Sequence, residues 1–133
     1  YAVKFASNFY GPFREAVGSK KKLKTDKKSY QIDYRNNFEA YREVGLDLKE
    51  GADMIMVKPG MPYLDIICEI KKKFHVPVIA YQVSGEYSLI KYAINKKFLN
   101  EESIIESIIS FKRAGACAIV TYFALEIAKK LKN

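Results

Sequence analysis

The chain has few of the residues that build metal and disulfide sites. Its 133 residues include two cysteines, Cys68 and Cys117, and one histidine, His75. The cysteines are far apart, have no partner at metal-ligand spacing, and sit in apolar segments. They therefore read as small core residues, with neither a disulfide framework nor a zinc site indicated. His75 stands in Phe74-His75-Val76-Pro77, just ahead of a predicted strand, which places it in a structural loop rather than in catalysis. No apolar run approaches membrane-spanning length and no signal peptide opens the chain. The chain starts on Tyr1 without a methionine, on residues that read as a strand, so its beginning looks cut.

Hydrophobic residues make up 49% of the chain, enough for one modest domain with a packed core. The net charge of +8 invites a nucleic-acid reading. The densest basic run, residues 20–28, holds Lys20, Lys21, Lys22, Lys24, Lys27 and Lys28. It has no interleaved aromatics and no nucleic-acid motif around it, so a solvated loop is expected there. A basic RNA-binding module remains the alternative of another class.

Periodicity predicts strands over residues 2–6, 54–58, 76–83 and 116–122. Helices are predicted near 14–17 and over 37–50, 63–74, 86–94, 101–114 and 123–131. The helix over 37–50 is expected to bury Phe38, Tyr41, Val44 and Leu48, with Asn36 or Asn37 as its cap and Gly51 as its end. In the helix over 63–74, Leu64, Ile67 and Ile70 face inward, and Lys71, Lys72 and Lys73 suit its carboxyl end. Asn100 is the expected cap of the next long helix. Residues 18–37 are polar, basic and too long for an ordinary βα connection, as lids and binding loops are. Four strands each followed by helix imply parallel βαβ units. A small open sheet and half of a (β/α)8 barrel fit that pattern equally well.

Residues 51–63 read G-A-D-M-I-M-V-K-P-G-M-P-Y. Met54, Ile55, Met56 and Val57 form the continuous apolar run of a strand buried on both faces. Lys58 ends it, and Pro59-Gly60 stops the strand, so the lysine sits where a strand gives way to a loop. In a βα-barrel that is the carboxyl-terminal rim, where active sites are built. A lysine there can simply snorkel to water. Alternatively, poor solvation lowers its pKa and supplies the free amine that attacks a ketone.

The thirteen-residue string closely resembles the active-site signature of the porphobilinogen synthase (5-aminolevulinate dehydratase) family. Further landmarks follow in family order: Y-A-V-K-F-A-S-N-F-Y-G-P-F-R at 1–14, D-K-K-S-Y-Q at 26–31, A-Y-Q-V-S-G-E-Y at 80–87, and R-A-G-A with T-Y-F-A near the end. The resemblance covers essentially the whole chain. It implies the carboxyl-terminal part of a TIM-barrel catalytic domain, from the fifth strand onward, with residues 18–37 as an active-site lid. The implied activity is a lyase reaction of tetrapyrrole and heme biosynthesis, in which two 5-aminolevulinate molecules condense to porphobilinogen with loss of two waters. A lysine-dependent aldolase on the same barrel is the rival enzyme reading. It explains Lys58 but gives no reason for a second strand lysine, Lys4.

The resemblance also assigns residues. Lys58 and Lys4 would each hold one substrate as a Schiff base. Ser84 and Tyr122 would anchor one substrate carboxylate, and Arg14, Lys27 and Gln31 the other, with Tyr10 lining the site. Lys27 stands where the family usually has arginine, so it keeps the charge and loses the fork. Glu39, Glu43 and Asp47 recur along one helical face, and like charges so spaced oppose a helix by a few tenths of a kcal/mol per pair. Salt bridges to Arg42 or Lys49 would explain them; the resemblance offers instead an allosteric Mg²⁺ held through Glu43. The family implies a divalent catalytic metal, Mg²⁺ or Zn²⁺, with ligands upstream of this chain. It also implies a homo-octamer, a cytoplasmic or plastid location, and no nucleic-acid or membrane partner.

Overall fold

The computed structural model describes residues 3–17 and 30–132. Lys27, the basic run 20–28 and most of the expected lid lie outside the described residues. Four strands, β1 (Val3–Lys4), β2 (Ile55–Lys58), β3 (Val78–Tyr81) and β4 (Ala118–Val120), form one parallel sheet in sequential order. Between and after them run α1 (Gly11–Ala16), α2 (Asn37–Lys49), α3 (Leu64–Phe74), α4 (Ser84–Asn95), α5 (Glu102–Ala114) and α6 (Ala124–Lys130). Short 3₁₀ turns, Asn8–Tyr10 and Met61–Tyr63, lead into α1 and α3. Parallel strands whose neighbours in space are their neighbours in sequence have the arrangement of consecutive units in a (β/α)8 barrel.

Alternation along each strand sorts the sheet into two faces. Val3, Ile55, Val57, Val78 and Ala80 are buried, and they pack with Ala40 and Val44 of α2, Ile66, Ile67 and Ile70 of α3, and Phe111 of α5. The other face carries Lys4, Met56, Lys58, Ile79 and Tyr81, all half-buried. The strand at 55–58 is therefore packed on one face rather than enclosed on both, and Met54 lies before it, 53% exposed. In β4 the same alternation leaves Ala118 and Val120 exposed and turns Ile119 toward the core.

Strands are shorter than expected from the apolar runs, because their ends turn into the loops that build the rim. The outer edge of β1 is extended instead by the chain near Ile32. Phe5 and Ile32 form a parallel bridge, with the Ala6 N–H donating to the Ile32 carbonyl and the Ile32 N–H to that of Lys4.

The α2 cap is Asn36, whose side-chain oxygen accepts the Glu39 N–H at 3.2 Å. Gly51 follows the helix at φ +99°, a conformation that glycine adopts without a Cβ clash. Phe38, expected inside, is 79% exposed. The buried stripe is centred on Ala40 and Val44, and two positions from Ala40 is the opposite side of a helix. Ile66 joins the inward face of α3 beside the expected Ile67 and Ile70. His75 does end α3, in the left-handed conformation. The helix α5 begins at Glu102, with Glu101 rather than the expected Asn100 in the capping position and no side-chain capping bond. The Asn100 side chain accepts the Glu102 N–H from one residue further out. The cysteines are not core residues: Cys68 is half-buried and Cys117 is exposed, because α3 and the approach to β4 turn them away from the packed face.

Candidate active site

The two strand lysines are cross-strand partners. Lys4 pairs in register with Lys58, and the register of β2 with β3 continues from Val57 opposite Ala80, which sets Tyr81 beside Lys58. The Lys58 Nζ lies 3.9 Å from the centroid of the Tyr81 ring and 5.8 Å from that of Tyr10. Burial, and after it the positive charge of Lys4, holds the Lys58 amine below the ordinary lysine range. The Tyr10 hydroxyl donates to the Lys58 carbonyl at 2.9 Å, and burial pushes its phenol well up, so it remains a donor.

Lys58, Tyr10, Phe13, Tyr81, Val83, Ser84 and Tyr122 line one cleft. Its interior is about 10 Å³, room for a single water. Ser84 is the first residue of α4 and its Oγ accepts the Phe13 N–H at 3.1 Å. Tyr122 follows β4 at the mouth, half exposed, against the ring of Tyr87. Its loop is set by Gln82, which is fully buried. The Gln82 side-chain amide donates to Ser107 at 3.1 Å and its oxygen accepts from Thr121 at 2.6 Å.

On the β1 side, Arg14 donates to the Gln31 side-chain oxygen at 3.3 Å and stands 5.0 Å from the Tyr10 ring centroid. Gln31 is held there by the bridge of Ile32 to Phe5. The structure therefore brings together Lys4, Lys58, Tyr10, Arg14, Gln31, Ser84 and Tyr122 at one end of the sheet, while Lys27 lies outside the described residues. Glu43 is elsewhere, on α2, with its carboxylate 2.8 Å from Arg42, which also lies 3.9 Å from Glu39. The acidic stripe thus has the arginine partner that salt bridging calls for. Among the described residues no group of three or more His, Cys, Asp or Glu could hold a metal ion.

Two further residues belong to this region. Tyr81 was visible in A-Y-Q-V-S-G-E-Y, but its meaning depends on register with Lys58, which only pairing supplies. Glu86, in the same string, is buried with its carboxylate on backbone N–H groups of Met61 and Val83. No sequence signal marks a glutamate on the first turn of a helix as an inward one, since most such side chains face water.

The family model for delta-aminolevulinic acid dehydratase matches residues 1–130. The chain is 54% identical over 134 aligned residues to the delta-aminolevulinic acid dehydratase of Bradyrhizobium diazoefficiens, covering 100% of this chain and 38% of that protein. It is 56% identical to that of Archaeoglobus fulgidus, covering 99% of this chain and 41% of the relative. A solved structure, the Toxoplasma gondii delta-aminolevulinic acid dehydratase (porphobilinogen synthase) in complex with porphobilinogen, superposes with a TM-score of 0.93 at 51% identity. The match covers 98% of this chain and 37% of that one. The chain thus spans about two-fifths of the length of the relatives it matches.

Proposed function

Because the chain belongs to the delta-aminolevulinic acid dehydratase family, we propose that it is the carboxyl-terminal part of a porphobilinogen synthase, condensing two 5-aminolevulinate molecules to porphobilinogen. The observation that carries this reading is the register of Lys4 with Lys58 on adjacent strands. Two identical keto acids need two amines side by side, and a single-lysine aldolase gives no reason for the second.

Each lysine amine adds to a substrate ketone and expels water as the Schiff base forms. Loss of a carbon-bound proton turns one imine into an enamine, whose carbon attacks the other substrate. The free amine of one substrate then closes the ring, both lysines are released, and the overall reaction loses two waters. A neutral amine is required at the first step, and burial together with the charge of Lys4 favours it at Lys58. Ser84 and Tyr122, which line the cleft with Lys58, would receive the carboxylate of one substrate. Arg14, hydrogen-bonded to Gln31, would hold the carboxylate of the other substrate, with Lys27 and the lid of residues 18–37 joining them on this reading.

A divalent metal, Mg²⁺ or Zn²⁺, is part of the family expectation. The described residues offer no ligand cluster that fits one. The chemistry above uses only the lysines, hydroxyls and guanidinium of this chain. An allosteric Mg²⁺ at Glu43 would have to displace Arg42 from its carboxylate. Assembly into an octamer rests on the resemblance in the same way.

The direct test is porphobilinogen formation by the purified full-length enzyme. Lys58→Ala should lower turnover by at least about a thousandfold. Wild-type turnover in that variant would refute the assignment.

A further inference from the structure

Glu86 takes no part in the chemistry above, yet it is 2% exposed. Its carboxylate accepts the Met61 N–H at 2.6 Å on one oxygen and the Val83 N–H at 2.5 Å on the other. Gly60 and Met61 belong to the turn that follows Lys58, and Val83 precedes Ser84. One buried carboxylate thus ties the loop after β2 to the loop after β3.

An ordinary helix cap would explain only the Val83 contact, where Glu86, as the third residue of α4, reaches back to the capping residue. The reach to Met61 goes beyond capping. Desolvating a carboxylate is costly, and two N–H donors from different loops offset that cost only where both loops hold their places. The surroundings are packed to match. A Cβ on Gly60 would meet the Phe111 ring at 2.4 Å, and one on Gly85 would meet the Phe9 carbonyl oxygen at 2.3 Å. The neighbouring ties, Ser84 to the Phe13 N–H and Tyr10 to the Lys58 carbonyl, bind the same loops to the segment after β1.

We propose that Glu86 is a positioning residue for imine formation, clasping the turn after Lys58 to the start of α4 so that Lys58 and Ser84 keep one separation. The inference rests on the porphobilinogen synthase reading. Without the clasp, the Lys58 turn is free to shift from that cleft. The amine then loses part of its desolvation against Tyr10, Tyr81 and Tyr122, and part of its proximity to Lys4.

The test uses the full-length enzyme, 5-aminolevulinate and borohydride, with trapping at Lys58 followed across pH in wild type, Glu86→Gln and Glu86→Asp. Glutamine keeps the reach and loses one acceptor; aspartate keeps the charge and loses the reach. Both should slow trapping at neutral pH by about tenfold, the worth of one charge-assisted hydrogen bond. Both should also move the pH midpoint of trapping upward, and kcat should fall more than KM changes. Wild-type trapping rate and midpoint in a folded variant would overturn the proposal. So would losses that follow only the folded fraction, or two variants that simply fail to fold, since Glu86 would then be a stabilising cap and nothing more. Absence of trapping in the wild type would instead overturn the porphobilinogen synthase reading itself.

Discussion

At the scale of single residues, the reactive feature is a lysine made less basic by where it sits. Lys58 is poorly solvated, and its cross-strand neighbour is another cation. The sign of each influence can be tested. An ordinary lysine titrates near 10.5, and both burial and Lys4 lower that value for Lys58. Imine formation should therefore rise with pH through a midpoint below the ordinary lysine value. Lys4→Met removes a like charge, so the Lys58 midpoint should move up, toward but not reaching that value. An unchanged midpoint would mean that Lys4 exerts no field at Lys58. Arg14 makes a different prediction. It donates to Gln31 and has a planar fork suited to a carboxylate. Arg14→Lys should raise KM roughly tenfold while changing kcat less, as loss of one bidentate contact does. Steady-state kinetics in which kcat alone falls would assign Arg14 elsewhere.

At the scale of elements, the rim is where strands end and backbone groups meet side chains. Gly85 opens this region to Phe9, and a Cβ there would meet a backbone carbonyl, which cannot rotate away. Gly85→Ala should destabilise the protein by about 1–3 kcal/mol and lower activity in proportion to a shifted Ser84. A denaturation midpoint equal to wild type would contradict that packing. Glu86 adds a pH dependence. Burial raises its carboxyl to about 7 from 4.5, so the folded state holds a proton that the unfolded state has released across that interval. Stability should then fall as pH rises from about 4.5 to 7, by an amount on the order of 3 kcal/mol. Glu86→Gln should flatten that slope; a denaturation series with the same slope in both proteins would remove Glu86 as its cause.

Elements were legible to differing depth. The helix over residues 37–50 was readable because Asn36, Gly51 and the spacing of Val44 and Leu48 all act locally. Phe38 was misplaced because aromatic character argues for burial, while the angle around the helix is set by Ala40 and Val44. Strand order was open, since βαβ alternation serves a small sheet and a barrel alike. Lys58 stood out through Pro59-Gly60, whereas Tyr81 and Glu86 gain meaning only from partners in other units. Gln82 was silent for the same reason. Its amide is tied to Ser107 and Thr121, 25 and 39 residues away.

At the scale of the whole molecule, four parallel strands leave β1 and β4 at the edges of the sheet. The β1 edge is partly occupied by Ile32, and β4 carries the exposed Ala118 and Val120. Unpaired strand edges and one-sided apolar packing favour association. The chain spans about two-fifths of the length of the relatives it matches. Expressed alone, residues 1–133 should make no porphobilinogen and should self-associate. A monomeric, active 133-residue protein, seen by light scattering and turnover, would contradict the barrel-fragment reading.

The paired lysines are the centre of the account, and trapping them tests it most directly. The full-length enzyme, incubated with 5-aminolevulinate and reduced with borohydride, should yield peptides bearing the adduct on Lys58 and, more weakly or later, on Lys4. Peptide mapping that finds substrate on neither lysine, with turnover intact, would contradict the account.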